Sequence, residues 1–160
     1  MDPHPADAIT VRAFRPEDQD AVKALILAGL EEHWGTLDPS LNPDLDDIAK
    51  SYGEDVFLVA CTGGRIVGTG ALCQCRADQD RLAGTRSAQI VRMSVASEMR
   101  RHGIGRLILN ELCAQARIRG VRRLVLETTS TWHEAIAFYE GFGFHITHTE
   151  GEDTYFEMVL

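Results

Sequence analysis

The chain has 160 residues, 44% hydrophobic and 25% charged, with a formal net charge of −8. That length suits one domain with a sizeable core, and the acidic balance argues against nucleic acid as the main partner, because phosphate binding needs a basic face. No apolar run reaches the length of a membrane span, and Met1-Asp2-Pro3-His4-Pro5 lacks the basic and apolar regions of a secretory signal, so the cytoplasm is the expected location.

In chain order, residues 1–7 read as a flexible tail ahead of a single domain over 8–160. Ile9 to Phe14 reads as a short strand. Arg15-Pro16-Glu17-Asp18 supplies turn and cap chemistry, with a fixed φ at Pro16 and acids near the positive end of a helix. A first helix follows on the stripe Ala21, Val22, Leu25, Ile26 and Gly29. Pro39 and Asn42-Pro43 keep Glu32 to Pro43 from being one regular element, and Asp44 to Tyr52 reads as a second, shorter helix. Val56 to Cys61 and Arg65 to Arg76 form a hairpin about Thr62-Gly63-Gly64. Ala77 to Arg86 is a polar loop, and Ala88 to Val95 a fourth strand.

Gly103 to Arg119 carries Ile104, Leu107, Ile108, Leu112 and Ala116 at a helical period and stops at Gly120. Arg123 to Thr128 is a buried strand, Glu134 to Glu140 a helix ended by Gly141, and Phe144 to Thr149 and Thr154 to Leu160 the closing strands. The order β-α-α-β-β-β-α-β-α-β-β implies an α+β fold: a mixed central β-sheet with helices on both faces.

Cys61, Cys73, Cys75 and Cys113 lack the spacing of a zinc site or a disulfide framework and read as small buried residues in a reducing compartment. His145 and His148 fall on opposite faces of one strand by simple alternation and make a poor metal pair. No metal is expected. Charge is unevenly spread: eight acids and one lysine lie between Glu31 and Asp55, and eight arginines against two acids between Arg92 and Arg123. One region suits a polyanion and the other a cation.

The strongest chemical feature is Arg100-Arg101-His102-Gly103-Ile104-Gly105, between a strand and a long helix. Gly103 and Gly105 let backbone approach a ligand, the first helical turn leaves N–H groups without carbonyl partners, and the helix dipole favours an anion there. Arg100, Arg101 and His102 add positive or polar side chains, which together make a pyrophosphate cradle; a tight packing turn is the alternative for the G-x-G alone. A P-loop would need G-x-x-x-x-G-K-[ST], which is absent. A Rossmann fingerprint would need a third glycine where Ile108 stands.

The pattern Arg100-x-x-Gly103-x-Gly105 resembles the R-x-x-G-x-G/A signature of the GNAT (Gcn5-related N-acetyltransferase) family. Val91-Arg92-Met93-Ser94-Val95 is similar to that family's fourth strand and Leu126-Glu127-Thr128 to its fifth. Glu134 to Tyr139 with Gly141-Phe142-Gly143-Phe144 resembles its late helix and following turn. The likeness spans essentially the whole domain and is densest from Val91 to Phe144.

The resemblance implies an acyl-CoA-dependent N-acyltransferase that moves acetyl from acetyl-CoA, its co-substrate, to an amine by direct attack in a ternary complex. It places the amides around Arg101, His102, Gly103, Ile104 and Gly105, with Arg106 behind, on the CoA pyrophosphate, and the backbone of Met93 and Val95 on the pantetheine arm. One of those amides would also polarise the thioester carbonyl. Tyr139 matches the tyrosine that protonates the leaving thiolate. Many relatives carry an asparagine where Trp132 stands, and an indole cannot copy an amide's two-sided hydrogen bonding.

Glu127, near the expected splay of the fourth and fifth strands, is the candidate base, especially if burial raises its pKa. A structural carboxylate is the alternative. Glu31, Glu32, His33 and Trp34 lie in the segment joining the first two helices, which in the family commonly walls the acceptor site. Of these, His33 and Trp34 are the candidate contacts for a small cationic amine. An acyl-CoA sensor without catalysis is the alternative function. Dimers are frequent in the family, so a homodimer is a partner the resemblance allows.

Overall fold

The computed structural model describes residues 8–74 and 86–160; the expected tail over 1–7, nearly all of the expected loop over 77–86, and Cys75 lie outside the described residues. The described chain runs β1 (Thr10–Ala13), α1 (Gln19–Trp34), α2 (Ile48–Ser51), β2 (Val56–Thr62), β3 (Arg65–Gln74) and β4 (Ser87–Val95). It continues through α3 (Ile104–Ile118), β5 (Arg123–Thr129), α4 (His133–Phe142), β6 (His145–Glu150) and β7 (Asp153–Val159). The strands are ordered β1-β2-β3-β4-β5-β7-β6, parallel between β4 and β5 and antiparallel in β1–β2, β5–β7 and β6–β7. This is the mixed sheet of an α+β fold. Among the described residues no helix is long and apolar enough to cross a membrane.

Two compact units can be distinguished, one from the chain up to Ala71 with Arg92–Leu112, the other from Leu72–Val91 with Cys113–Leu160. In the first, the α1 entry is built on Asp18. Its buried carboxylate takes two hydrogen bonds from Arg12, at 2.7 and 3.0 Å, and one from the Arg15 amide at 2.8 Å. The Arg12 bonds hold the Asp18 carboxyl below its ordinary range, so the charge needed at a helix start persists into acid.

Helix α1 then runs further than the proline pattern suggests. It continues through His33 and Trp34 and stops at Gly35, whose φ of +80° suits glycine and whose N–H returns to the Glu31 carbonyl at 2.7 Å. The expected second helix is reduced to Ile48–Ser51, preceded by 3-10 turns at Pro39–Leu41 and Pro43–Leu45. The Gln19 side chain brackets this stretch, donating to the Leu45 carbonyl at 2.7 Å and accepting from the Ile48 amide at 2.9 Å. Leu45 and Ile48 are thereby held in the core.

The hairpin turn at Gly63-Gly64 has both φ values positive, +54° and +77°, as a two-residue turn between twisted strands requires. On β3, Gly68 and Gly70 let α3 approach closely: a Cβ at Gly70 would fall 2.6 Å from Ile108 and from the Met93 sulfur. Met93 therefore faces α3, whereas the Ser94 hydroxyl lies 3.3 Å from the Cβ position of Gly29 on α1. Successive residues of β4 thus face different helices, so this unit carries helices on both faces of its strands.

In the second unit, β5 and β7 pair from Arg123↔Val159 to Thr129↔Asp153. Helix α4 runs past Gly141 to Phe142, and Gly143, at φ +131°, ends it. Strand β6 carries an irregularity between Ile146 and His148, so His145 pairs with Glu157 and His148 with Tyr155. The bulge inserts one residue and cancels the alternation, which brings His145 and His148 onto the same face. Even so, no group of three metal-type ligands occurs among the described residues. Of the cysteines, Cys113 is buried and desolvation pushes its thiol up, as a core residue should show, but Cys61 and Cys73 are only half-buried.

Candidate active site

The glycine motif forms the turn into α3. Arg101 and Gly103 both adopt left-handed backbone, with φ of +68° and +78°. The Gly103 carbonyl accepts the first helical bond from the Leu107 amide at 3.0 Å, so Gly103 caps the helix. The amides of Gly103, Ile104, Gly105 and Arg106 therefore precede the α-helical hydrogen bonding. Ile104 is fully buried, with a methyl 2.9 Å from the Cβ position of Gly68, and it pins the helix start to β3. Arg100, Arg101, His102, Gly103 and Arg106 are exposed around this turn. Successive N–H groups beside left-handed residues make an anion-binding concavity at the positive end of a helix.

Met93 and Val95 are half-buried on β4. The parallel register of β4 with β5 runs from Ser87↔Arg123 to Gln89↔Val125, and both residues lie beyond its end. Just before them Arg92 has φ +57°, a left-handed backbone costly for a residue with a Cβ. Two partners, Thr69 and Asp44, hold it there. The Thr69 hydroxyl donates to the Arg92 carbonyl at 2.7 Å, and the Arg92 guanidinium grips both Asp44 oxygens at 2.9 and 2.6 Å. Tyr52 donates to Asp44 at 2.5 Å, and Asn42 accepts from Arg92 at 3.2 Å.

Burial pushes the Asp44 carboxyl up, but the bonds from Arg92 and Tyr52 outweigh it and hold the carboxyl below its ordinary range. The Tyr52 phenol, desolvated and bonded to that carboxylate, is pushed well above its ordinary range. This cluster joins the segment before α2 to β4.

The two charged regions of the sequence meet each other here. Besides Asp44–Arg92, Glu32 forms a two-pronged pair with Arg100 at 2.8 and 2.9 Å, and Asp46 pairs with Lys23 at 2.8 Å. Asp38 and Asp47 accept from the amides of Ser40 and Lys50 as local caps. Much of the acidic stretch expected to attract a cation is therefore engaged within the protein. His33 and Trp34 stand edge to face, with ring centroids 5.1 Å apart, in the last turn of α1 rather than in a connecting segment. Trp34 is 51% exposed, an uncommon state for so large an apolar ring.

In the second unit, Tyr139 of α4 is 9% exposed and packs against Phe138, Phe144 and Phe156. Burial pushes its phenol well above the ordinary range, so it stays protonated through any physiological pH. Trp132, at the N-cap of α4, contributes its main-chain carbonyl to the Ile136 amide at 3.0 Å.

Glu127 lies opposite Tyr155 in the β5–β7 ladder and is exposed. The Tyr155 phenol hydrogen-bonds Glu127 and is pushed up to about 12, chiefly by that bond. The His148 ring stacks on Tyr155 at 4.5 Å with an interplanar angle of 7°. The β6 bulge is what lines up His148, Tyr155 and Glu127 across three strands.

The Acetyltransferase (GNAT) family model matches residues 20–144 of this chain. The chain belongs to the GNAT acetyltransferase family. N-acetyltransferase 8 of Rattus norvegicus is 37% identical over 111 residues, covering 67% of this chain and 48% of that protein. N-acetyltransferase family 8 member 2 of the same organism is 35% identical over 109 residues, 67% of this chain and 47% of that protein. The chain thus spans about half the length of the curated relatives it matches.

Among solved GNAT-fold structures, PaiA N-acetyltransferase from Thermoplasma acidophilum in complex with coenzyme A superposes with a TM-score of 0.79 at 18% identity, covering 96% of this chain and 99% of that one. A GNAT-family acetyltransferase from Staphylococcus aureus Mu50 gives 0.82 at 18% identity over 95% of this chain and 99% of that one. At such identity the agreement establishes the fold.

Within the first unit, the structure brings the GNAT motif residues Arg100 to Arg106 together in one turn. Three features escape the sequence: the Arg92–Asp44–Tyr52 cluster, the Glu32–Arg100 pair and the Tyr155–His148 support of Glu127. The first two join residues 48 and 68 positions apart. The third depends on a bulge that strict alternation does not foresee. Arg92 reads from the sequence as a strand residue and as the first arginine of the basic stretch, with no acidic partner assigned to it.

Proposed function

We propose that this GNAT chain, acting as one domain over residues 8–160, transfers acetyl from acetyl-CoA to an amine by direct attack in a ternary complex. The observation that carries the reading is the start of α3, where left-handed Arg101 and Gly103 precede four amides ahead of the helical bonding, within the family's own motif. Gly103, Ile104, Gly105 and Arg106 hold the CoA pyrophosphate through these amides, with Arg101 and His102 beside them. The backbone of Met93 and Val95 binds pantetheine, and one of their amides polarises the thioester carbonyl. Tyr139 protonates the thiolate.

Glu127, held by Tyr155, takes the proton of the attacking amine directly or through water, since only the neutral amine is nucleophilic. The acceptor is a small amine packed against His33 and Trp34, and the reaction belongs to the cytoplasm. Its cationic character rests on the overall charge of −8.

Acetyl-CoA turnover, read as thiol release, tests the reading across polyamines, amino acids, aminoglycosides and peptide amino termini, with CoA binding followed by calorimetry. Release that depends on one amine class supports it and names the acceptor. CoA binding without turnover on any class points to a sensor, and no binding overturns the donor assignment. Gly103→Val should weaken CoA binding about tenfold, because a β-branched residue resists a φ of +78°. Unchanged affinity would place the pyrophosphate elsewhere.

A further inference from the structure

We propose that Glu32 is the resident counter-ion of the donor cradle, competing with the CoA pyrophosphate for Arg100 and so setting the affinity for acetyl-CoA. The inference rests on the donor reading above and goes beyond it, because Glu32 belongs to α1 and not to the glycine motif. Its carboxylate takes both prongs of the Arg100 guanidinium, at 2.8 and 2.9 Å. Arg100 stands three residues before Gly103, the residue that caps α3.

Glu32 is poorly placed for α1 itself. It lies in the last turn, at the negative end of the helix dipole and next to Glu31, where a carboxylate is disfavoured. Arg100 offsets that cost and keeps the Glu32 carboxyl below its ordinary range, so the pair persists at neutral pH. Both side chains are about half exposed, at 40% for Arg100 and 51% for Glu32, so the pair is exchangeable.

A pyrophosphate seated on the α3 amides brings at least two negative charges beside this pair. It draws the guanidinium towards itself and repels the carboxylate. Donor binding must therefore displace Glu32 from Arg100, whose charge the protein's own acid otherwise balances.

Calorimetric titration of CoA into the wild-type chain, Glu32→Gln, Glu31→Gln and Arg100→Gln tests this. Glu32→Gln should bind CoA roughly three- to fivefold more tightly at low ionic strength, with the gain shrinking at high salt. Glu31→Gln removes an equal charge one residue earlier and should give a smaller gain. Arg100→Gln should bind more weakly than wild type. The proposal is overturned if Glu32→Gln binds no more tightly than wild type, or if Glu31→Gln tightens binding as much, which would reduce the effect to general charge. Wild type that binds no CoA would instead remove the donor reading, and this proposal with it.

Discussion

Replacing Tyr139 with phenylalanine is expected to lower kcat roughly 10- to 100-fold while leaving CoA affinity within about twofold. The ring is enclosed by Phe138, Phe144 and Phe156, and phenylalanine keeps those contacts, so the change removes one hydroxyl rather than a piece of the core. The raised phenol pKa bears on the mechanism in two ways. It guarantees that Tyr139 carries its proton, so the wild-type rate should show no alkaline fall from this group between about pH 7 and pH 10. It also makes the phenol a weaker acid, which would oppose transfer to an ordinary thiolate.

The opposition is relieved if the thiolate forms in equally desolvated surroundings, because burial raises the proton affinity of both anions. Hydrogen-bond donation to the developing sulfur charge stabilises the transition state even before transfer is complete. Single-turnover thiol release would report the chemical step directly. A Tyr139→Phe rate equal to wild type would remove Tyr139 as the acid.

The features legible in the sequence were local ones. The strand and helix order, the Gly63-Gly64 turn and the capping role of Gly103 each follow from a few adjacent residues, and the structure reproduces them with shifts at the ends. Helix α1 ends later than the pattern implies because Pro39 and Pro43 dominate that pattern, whereas Glu31 and Glu32 propagate helix until Gly35 provides the left-handed stop. Helix α2 is shorter than the Asp44 to Tyr52 pattern implies because Asp47 caps a new turn there and the Pro43–Leu45 turn consumes the preceding residues. Glu127 was placed correctly on β5, but which face of the sheet is covered depends on long-range packing, and its side chain emerges exposed. The two charged regions read as separate attractors for a polyanion and a cation, yet Asp44 and Glu32 end on Arg92 and Arg100. Charge counting along a chain cannot see that pairing, because it is made by the fold.

Asp44→Ala should destabilise the chain by about 2–3 kcal/mol, less than breaking a fully buried pair costs, because Asp44 remains 28% exposed. For a chain of this length that is a fall in Tm of roughly 5–10 °C. The loss leaves the Arg92 guanidinium without its two-oxygen partner and Tyr52 without its acceptor, while Arg92 keeps its backbone at φ +57°. The clamp and the backbone strain can be separated by two substitutions at one position. Arg92→Ala loses the clamp and keeps the strain; Arg92→Gly loses the clamp and relieves the strain. Arg92→Gly should therefore be the more stable of the two by about 1 kcal/mol, against the usual order for a strand, where glycine is the poorer residue.

The pH dependence has a definite sign. The folded-state carboxyl of Asp44 lies below its unfolded value, so its contribution is fully present above about pH 4 and disappears as pH falls through the folded value. The stability gap between wild type and Asp44→Asn should accordingly be constant at neutral pH and close in acid. Chemical denaturation of wild type, Asp44→Ala, Asp44→Asn, Arg92→Ala and Arg92→Gly at pH 7, repeated towards pH 3 for wild type and Asp44→Asn, measures all of this. An Arg92→Ala variant as stable as Arg92→Gly would mean that the left-handed turn before Met93 carries no strain. A gap that persisted in acid would mean that Asp44 acts through packing rather than charge.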